Sequence, residues 1–269
     1  MIERGAQRRP DLTPTTMKIH PPAKVNRMRN SAAILAFLLI LGVSAEAFAQ
    51  QKVSRHFPAG KNVRLELKNL SGTITVETWA REEIKITATM ETPTARFNPR
   101  QTEAGLVIDI VSDNRGRNDV GDINFKVQVP ARTSVDLETR RGQINVSNIQ
   151  GDLVRAHIST SGDITLSGIN AARVFASNTT GDIFFDGEFA SGGTYEYKSY
   201  AGTITLRLPA NCGFRLVATA PAKKISMGQF WHDGMKLMGE GRKIIGDVGD
   251  GRASVTVTNF QGNINFLRR

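Results

Sequence analysis

The feature that most constrains this chain is a short motif that occurs six times along it. In Ser161-Gly162-Asp163-Ile164-Thr165-Leu166, a glycine is followed by a polar residue, an isoleucine, a further residue and an apolar one. The same order follows five other glycines: Gly72, Gly142, Gly181, Gly202 and Gly262. The glycines at 142, 162, 181 and 202 are 20, 19 and 21 residues apart. A fixed period of about 20 residues is typical of a repeat architecture.

The residues around each glycine alternate as they do in β-strands. An isoleucine lies two residues after every glycine and an apolar residue lies four after it. In five repeats, apolar residues also lie seven and five before the glycine, and a small polar or amide residue lies three before. These sets are Leu65/Leu67/Asn69, Val135/Leu137/Thr139, Val174/Ala176/Asn178, Tyr195/Tyr197/Ser199 and Val255/Val257/Asn259. A period of two predicts half-buried strands. Each repeat therefore predicts two short strands that meet at a glycine corner.

One repeat buries too little apolar surface to be stable alone, whereas stacked repeats share a continuous interior. The sequence therefore predicts an all-β fold of β-solenoid-like stacked strand repeats, with about 20 residues per coil. The six isoleucines should form one column, and the next apolar residues a second. Glycine at each corner allows a positive φ without steric cost. The coil that ends at Gly162 does not follow the common register, because Ala156, Ile158 and Thr160 are displaced by one position. We expect an added residue or a bulge there.

The sequence predicts two regions after residue 49. Residues 50–132 alternate like strands but have irregularly spaced turns, which predicts an irregular β-meander region. Residues 133–269 carry the regular repeat, and 57–269 are predicted to form one continuous domain. An insertion at about 227–245 interrupts the repeats with glycines and large apolar side chains. Two interpretations remain open for it: a cap over the end of the stack, or an adaptable partner surface, because methionine repacks easily. The candidate contact residues are Met227, Phe230, Trp231, Met235 and Met238.

The first 49 residues have the pattern of an export signal. Arg29 precedes an apolar run of about twelve residues, which ends before Ala47-Phe48-Ala49. A basic start, a short apolar run and small residues at the end predict a secretory signal cleaved after Ala49. The start codon is predicted at Met28, with residues 1–27 as an N-terminal extension. The mature chain is therefore predicted to be periplasmic, cell-surface or secreted, with no membrane span after cleavage.

Composition and motifs argue against several classes of function. The single cysteine, Cys212, excludes a disulfide framework and a cysteine-based zinc site. The histidines are far apart, and no nucleotide, phosphate-loop or hydrolase motif occurs, so the sequence predicts no metal, cofactor or catalytic residue. The formal net charge is +10. The basic pairs Arg140-Arg141 and Lys223-Lys224 have no interleaved aromatic residues, which argues against nucleic-acid binding.

The Gly-Asp pairs at the corners suggest two further hypotheses, a calcium site and a pair of catalytic carboxylates. A calcium-binding solenoid uses a tighter nonapeptide, which a period of about 20 residues does not match. Asp163 and Asp182 resemble the paired carboxylates of polysaccharide-cleaving solenoids. Both recur at equivalent corners, however, where a short polar side chain can bond exposed backbone amides. We expect them to have this structural role.

Several segments of the chain resemble those of a known family. These are the opening FPAGKNVRLELKNLSGTITVETW from Phe57 to Trp79, the strand end at Val129-Pro130, the Ser-Gly-Asp-Ile repeats and the closing SVTVTNFQGNINF. In this order they resemble the bacterial putative-adhesin family of β-strand-repeat domains, over about residues 57–269. The resemblance implies an exported or envelope-associated stacked-strand domain with a proposed role in adhesion. It implies no catalytic residues. The insertion at 227–245 departs from the family pattern.

Three functions follow as hypotheses. The first is an exported non-enzymatic protein that acts as an adhesin, scaffold or cell-envelope interaction module and binds an unknown envelope protein or glycan. The second is a periplasmic sensor or accessory protein that binds its partner through the insertion at 227–245. The third is a solenoid enzyme that acts on polysaccharide, which would need carboxylates outside the repeat register. The sequence offers no clear set of such carboxylates.

Overall fold

Alternating apolar residues form short strands that pair into two sheets. The computed structural model describes residues 50–60 and 62–269; the predicted signal segment and the start at Met28 lie outside these residues. The first sheet has ten strands. In spatial order they are β1 (Gln51–Pro58), β4 (Glu83–Met90), β7 (Ile123–Pro130), β3 (Ile74–Trp79), β9 (Ile144–Ser147), β11 (Ile164–Ile169), β13 (Ile183–Gly187), β15 (Ile204–Leu208), β21 (Ile264–Arg268) and β17 (Ile225–Ser226).

The second sheet has eleven strands and faces the first across the core. In spatial order they are β18 (Lys236–Met238), β19 (Lys243–Val248), β16 (Phe214–Thr219), β20 (Ala253–Asn259), β14 (Thr194–Ala201), β12 (Arg173–Thr180), β10 (Leu153–Ser161), β8 (Ser134–Arg141), β2 (Arg64–Lys68), β6 (Gly105–Asp109) and β5 (Arg100–Thr102). A four-residue helix, α1 (Ile110–Asp113), follows β6, and a single 3-10 turn spans Gly228–Phe230. No helix in the described part of the chain is long and apolar enough to cross a membrane.

The predicted all-β, solenoid-like fold is confirmed. Each coil consists of one strand in the second sheet, a corner and one strand in the first sheet, and neighbouring coils pair in parallel. The predicted isoleucine column is present, because pairing aligns Ile74, Ile144, Ile164, Ile183, Ile204 and Ile264. All six side chains are fully buried. The second predicted column, from Val146 through Leu166 and Phe185 to Leu206, lies beside it.

The predicted irregularity before Gly162 is also confirmed, although its residues align differently. Strand β10 shifts register between Ile158 and Ser161 against both of its neighbours. Val154, Ala156 and Ile158 occupy the positions that Ala156, Ile158 and Thr160 were expected to hold. The added residue therefore lies after Ile158. As a result, Ile158 lies opposite Thr139 and Asn178, in a column that is polar elsewhere.

The order of the coils in space differs from their order in the sequence at both ends of the stack. Coil β2–β3 lies between coil β6–β7 and coil β8–β9. Coil β20–β21 lies between coil β14–β15 and coil β16–β17. The irregular N-terminal region therefore contributes two coils to the stack, while β1, β4 and β5 add antiparallel pairing beside them.

Two buried tyrosines on β14 differ in whether their hydroxyls form hydrogen bonds. The hydroxyl of Tyr195 donates to the carbonyl of Ala171 at 2.7 Å and accepts from the amide of Ala190 at 2.6 Å. The hydroxyl of Tyr197 is fully buried and has no hydrogen-bond partner among the described residues. A buried polar group without a partner keeps its desolvation cost.

We therefore expect Tyr197→Phe to leave the free energy of unfolding unchanged or to raise it by about 1 kcal/mol, because it removes the unpaired hydroxyl. Tyr195→Phe is the matched control on the same strand and should lower the free energy by about 1–2 kcal/mol, because it leaves two backbone groups unpaired. Guanidinium chloride unfolding at pH 7 measures both values. A larger loss for Tyr197→Phe than for Tyr195→Phe would contradict this assignment.

The same tyrosines predict a loss of stability in alkali. Burial raises the pKa of Tyr195, and it raises the pKa of Tyr197 well above the ordinary value of 10.0. Because the unfolded phenols ionise first, their contribution to stability is complete below about pH 10 and falls as the pH rises further. Burial also raises the pKa of Cys212 from 9.0 to about 11. Unfolding midpoints should therefore be compared in a Cys212→Ser background. There, Tyr197→Phe should lessen the alkaline loss, and an equal loss with and without Tyr197 would refute the assignment.

Candidate binding site

The corner glycines pack directly against one another along the stack. A Cβ atom placed on any of Gly142, Gly162, Gly181, Gly202 or Gly262 would collide with the carbonyl of the corner glycine in the preceding layer. Five of the six predicted corner glycines, all except Gly262, have a positive φ. At Gly262 the close approach alone leaves no space for a side chain. The glycines therefore set the distance between layers and expose no reactive group.

The corner carboxylates are occupied by the backbone. The Asp163 Oδ1 atom accepts from the amide of Asp182 at 2.8 Å, and the Asp182 Oδ1 atom accepts from the amide of Thr203 at 2.7 Å. Asn124 and Asn263 accept from corner amides in the same manner. Each short polar side chain thus satisfies a backbone donor of the adjacent layer. This geometry accounts for the repeated Gly-Asp pairs without catalytic or metal chemistry.

On the interior side, most corners also have a buried polar residue, although Ile158 takes this position before Gly162. Asn178 donates to the carbonyl of Gly162 at 3.0 Å, and Asn259 donates to the carbonyl of Gly202 at 2.9 Å. Thr139 and Ser199 donate to carbonyls within their own corners. These side chains are buried, so they stabilise the turn rather than meet a ligand. Within residues 50–60 and 62–269, no cluster of three or more His, Cys, Asp or Glu residues could hold a metal ion.

The insertion at 227–245 divides into a buried part and an exposed part. Met227, Phe230 and Met235 are buried, and the ring of Phe230 lies 6.1 Å from that of Phe214 in the core. Trp231 is 45% exposed and Met238 is 50% exposed. Three of the five predicted contact residues thus cover the end of the core. The other two remain at the surface, together with Leu237 on the edge strand β18.

A partly exposed aromatic ring lies on the outer face of the second sheet. There Phe175 on β12 lies between Arg155 on β10 and Glu196 on β14, its partners in the parallel register. These three residues, with Ser177 and Lys198, line a shallow depression of about 400 Å³. We call it the Phe175 platform. It offers a flat apolar ring surrounded by groups that form hydrogen bonds, the usual composition of a small binding site.

A second aromatic feature lies on the same outer face. Tyr200 on β14 and Phe260, just after β20, have ring centroids 6.0 Å apart and are 50% and 42% exposed. Gln261 donates to the Tyr200 hydroxyl at 3.0 Å. We call these two rings the Tyr200–Phe260 pair. Exposed large rings at adjacent positions are typical of contact surfaces.

Neither aromatic feature was predicted from the sequence. Both have a sequence signal, because Tyr200 and Phe260 each lie two residues before a corner glycine and Phe175 lies between the inward residues Val174 and Ala176. Alternation therefore predicts that all three rings point outward. The repeat pattern is defined by inward apolar residues, whereas the candidate site consists of outward side chains.

Comparison with known proteins supports the fold and its family. The family model Toastrack DUF4097 matches residues 29–266. No curated protein matches the chain. A solved structure of a "putative cell adhesion protein" from Clostridium sporogenes is similar, with 14% identity and a TM-score of 0.54 over 82% of this chain and 100% of that one. A "putative adhesin" from Bacteroides fragilis has 9% identity and a TM-score of 0.38 over 82% and 99% of the two chains. At these identities the first similarity concerns the fold alone.

Proposed function

Since this chain belongs to the Toastrack DUF4097 family, we propose that it is an exported, non-enzymatic β-repeat protein that acts as an adhesin-like, cell-envelope interaction module. The observation that carries the proposal is the outer face of the second sheet. Its strands β10, β12, β14 and β20 present the Phe175 platform and the Tyr200–Phe260 pair on one surface. A rigid stack holds these groups at fixed spacing, which lowers the entropic cost of binding.

The non-enzymatic part of the proposal rests on the corner carboxylates. Asp163 and Asp182 each accept a backbone hydrogen bond from the next layer, and this bond recurs at equivalent corners. A general acid or nucleophile needs a carboxylate that can reach a substrate with a suitable pKa. A carboxylate required by the corner itself is poorly suited to that task. Asp163→Ala removes the acceptor of the Asp182 amide and should lower the free energy of unfolding by about 1 kcal/mol, whereas Asp163→Asn keeps an acceptor oxygen and should cost less.

The experiment that tests the proposal is capture from an envelope extract. The purified protein, immobilised as bait, should retain material from whole cells, purified glycans or membrane fractions. A heat-unfolded sample on the same support is the control, because it has the same composition and no ordered face. Absence of retention from every fraction would refute the adhesin-like function.

The exposed part of the insertion supports a second candidate function, that of a periplasmic sensor or accessory protein. Trp231, Leu237 and Met238 are each about half exposed, and β18 is a three-residue edge strand. An apolar edge can pair with a partner strand or side-chain groove. This candidate predicts capture of an envelope protein through the insertion.

Deletion of 227–245 would test this candidate poorly, because Met227, Phe230 and Met235 belong to the core and β19 begins at Lys243. The triple variant Trp231→Ser, Leu237→Ser and Met238→Ser removes only the exposed apolar side chains. If capture of the partner is unchanged in this triple variant while the far-UV β signal is retained, the second candidate function is wrong.

A further inference from the structure

The Phe175 platform and the Tyr200–Phe260 pair lie on one continuous surface. On β14, the outward residues are Glu196, Lys198 and Tyr200, because the intervening residues are buried. Glu196 is the register partner of Phe175. Tyr200 lies four residues further along, so the two aromatic features are separated by about 13 Å along the strand and about 5 Å across it. An extended ligand of several rings can therefore touch both.

The outer face has both paired and unpaired charged groups along the line through the Phe175 platform. Arg155 shares the carboxylate of Asp136 with Arg64, at 3.4 and 2.9 Å. In the part of the chain that the structure describes, Arg173, Glu196 and Lys198 have no ion pair. All three are exposed on this face. Lys198 lies between the rings, Glu196 lies level with Phe175, and Arg173 lies two residues before Phe175, on the side away from Tyr200. Among the described residues, the line from Arg173 to Tyr200 thus has two unpaired cations and one unpaired carboxylate.

This combination favours a particular class of ligand. A pyranose ring has an apolar C–H face that stacks on an aromatic ring and an edge of hydroxyls that bind polar side chains. Arginine and lysine bind carboxylates through charge-assisted hydrogen bonds. A surface for phosphate-rich membranes or nucleic acid would instead concentrate cations and exclude Asp136 and Glu196. The mixed charges therefore fit a sugar acid better than a polyphosphate.

We propose that an extended acidic polysaccharide binds along the outer face of the second sheet. One sugar ring stacks on Phe175 and another on the Tyr200–Phe260 pair. Lys198 and Arg173 bind carboxylates of the ligand, and Glu196 accepts from its hydroxyls. This assignment rests on the proposed adhesin-like function and adds the chemical class of the ligand and the place where it binds.

The chain supplies a matched control for the aromatic contact. Phe184 belongs to the same coil as Phe175 and also points outward, but on the first sheet, where it lies opposite Thr165 and Thr205. Phe184→Ala therefore removes an outward phenylalanine from the other face of the molecule. Phe175→Ala and Tyr200→Ala remove the proposed stacking partners. Far-UV circular dichroism and the melting temperature verify that all three variants fold.

The probes are polygalacturonate and its highly methyl-esterified form, which has the same sugar backbone without the carboxylates. The purified protein should bind polygalacturonate more tightly than the ester, by about tenfold at low salt. Phe175→Ala and Tyr200→Ala should each weaken binding to polygalacturonate by about tenfold. Phe184→Ala should leave the dissociation constant unchanged. Lys198→Gln should reduce the preference for polygalacturonate over the ester.

Different contrary results would refute the assigned face, the ligand class or the proposed function. If Phe184→Ala weakens binding as much as Phe175→Ala does, or if both Phe175→Ala and Tyr200→Ala bind normally, the assigned face is wrong. Equal binding to the ester, or tighter capture on phosphatidylglycerol vesicles than on polygalacturonate, refutes the acidic glycan. If the protein captures envelope material but not polygalacturonate, the proposed function is retained and this inference fails. If it captures nothing, both fail.

Discussion

Replacement of Gly181 by alanine is expected to lower the free energy of unfolding by at least about 3 kcal/mol. Gly181 has a φ of +126°, and a Cβ atom there would lie 2.6 Å from the carbonyl carbon of Gly162 and closer still to its oxygen. The backbone of an adjacent layer cannot move away without disturbing its own pairing. The cost therefore includes both the unfavourable φ and the separation of two layers.

Gly192→Ala measures the cost of a positive φ where no adjacent layer is in contact. Gly192 also has a positive φ, of +75°, but no atom lies within 4 Å of the position that its Cβ would occupy. This control should cost only about 1–2 kcal/mol, the penalty of the left-handed conformation. Guanidinium chloride unfolding of both variants measures the difference. If the two alanines cost the same, contact between the layers at the corner does not contribute to stability.

A chain that ends after Asp250 is expected to lose its cooperative unfolding transition. This truncation removes β20 and β21, which lie inside the stack rather than at its end. Strand β20 pairs with β14 on one side and with β16 on the other, and β21 pairs with β15 and β17. Their loss breaks four strand pairings and exposes apolar surface on two neighbouring coils. Thermal unfolding followed by circular dichroism should show a broad, shallow change.

A point variant tests the same coil if the truncated chain cannot be purified. Ile264 is fully buried in the isoleucine column, whereas Leu267 on the same strand is 48% exposed. Ile264→Ala should cost about 2–5 kcal/mol because it leaves a cavity in the core. Leu267→Ala, the control, should change stability by less than about 0.5 kcal/mol. Similar losses for the two variants would mean that the coil does not have the buried position described above.

The repeated part of the fold could be predicted from the sequence because the spacing within each repeat defines how neighbouring strands align. Glycine, isoleucine and an apolar residue recur at fixed offsets, so the isoleucine column and the corner hydrogen bonds of Asp163 and Asp182 could be predicted. The added residue in β10 could be predicted for the same reason, since the offset changes there. Its placement after Ile158 could not be predicted, because the expected and the observed alignments differ by two positions and therefore turn the same even-numbered residues toward the core.

The order of the end coils could not be predicted from the repeat. Any coil with isoleucine and valine columns can stack on any other, so pattern alone does not distinguish sequential from inserted coils. One clue was available: Pro221 interrupts the corner before Ile225. An irregular corner disturbs fewer neighbours at the end of a stack than in its middle, and coil β16–β17 lies at that end.

The candidate site was harder to predict than the fold. Outside a regular repeat, composition does not reveal which of Met227, Trp231 and Met238 faces the core. On the outer face, Phe175 and Tyr200 belong to different coils, and only the parallel register brings them onto one surface. Their proximity therefore depends on tertiary pairing rather than on any local sequence pattern.

The edges of the two sheets have a consequence for self-association. Parallel strands with identical residues in register are also the arrangement of cross-β fibrils, which grow by adding strands to an open edge. Here the edge strands β17, β18 and β5 have two, three and three residues, too few to template a long partner. The longer edge strand β1 carries Lys52, Arg55 and Pro58, which oppose the addition of another strand. The strands inside the fold are therefore stacked as in a fibril, while the edge strands hinder the addition of further strands.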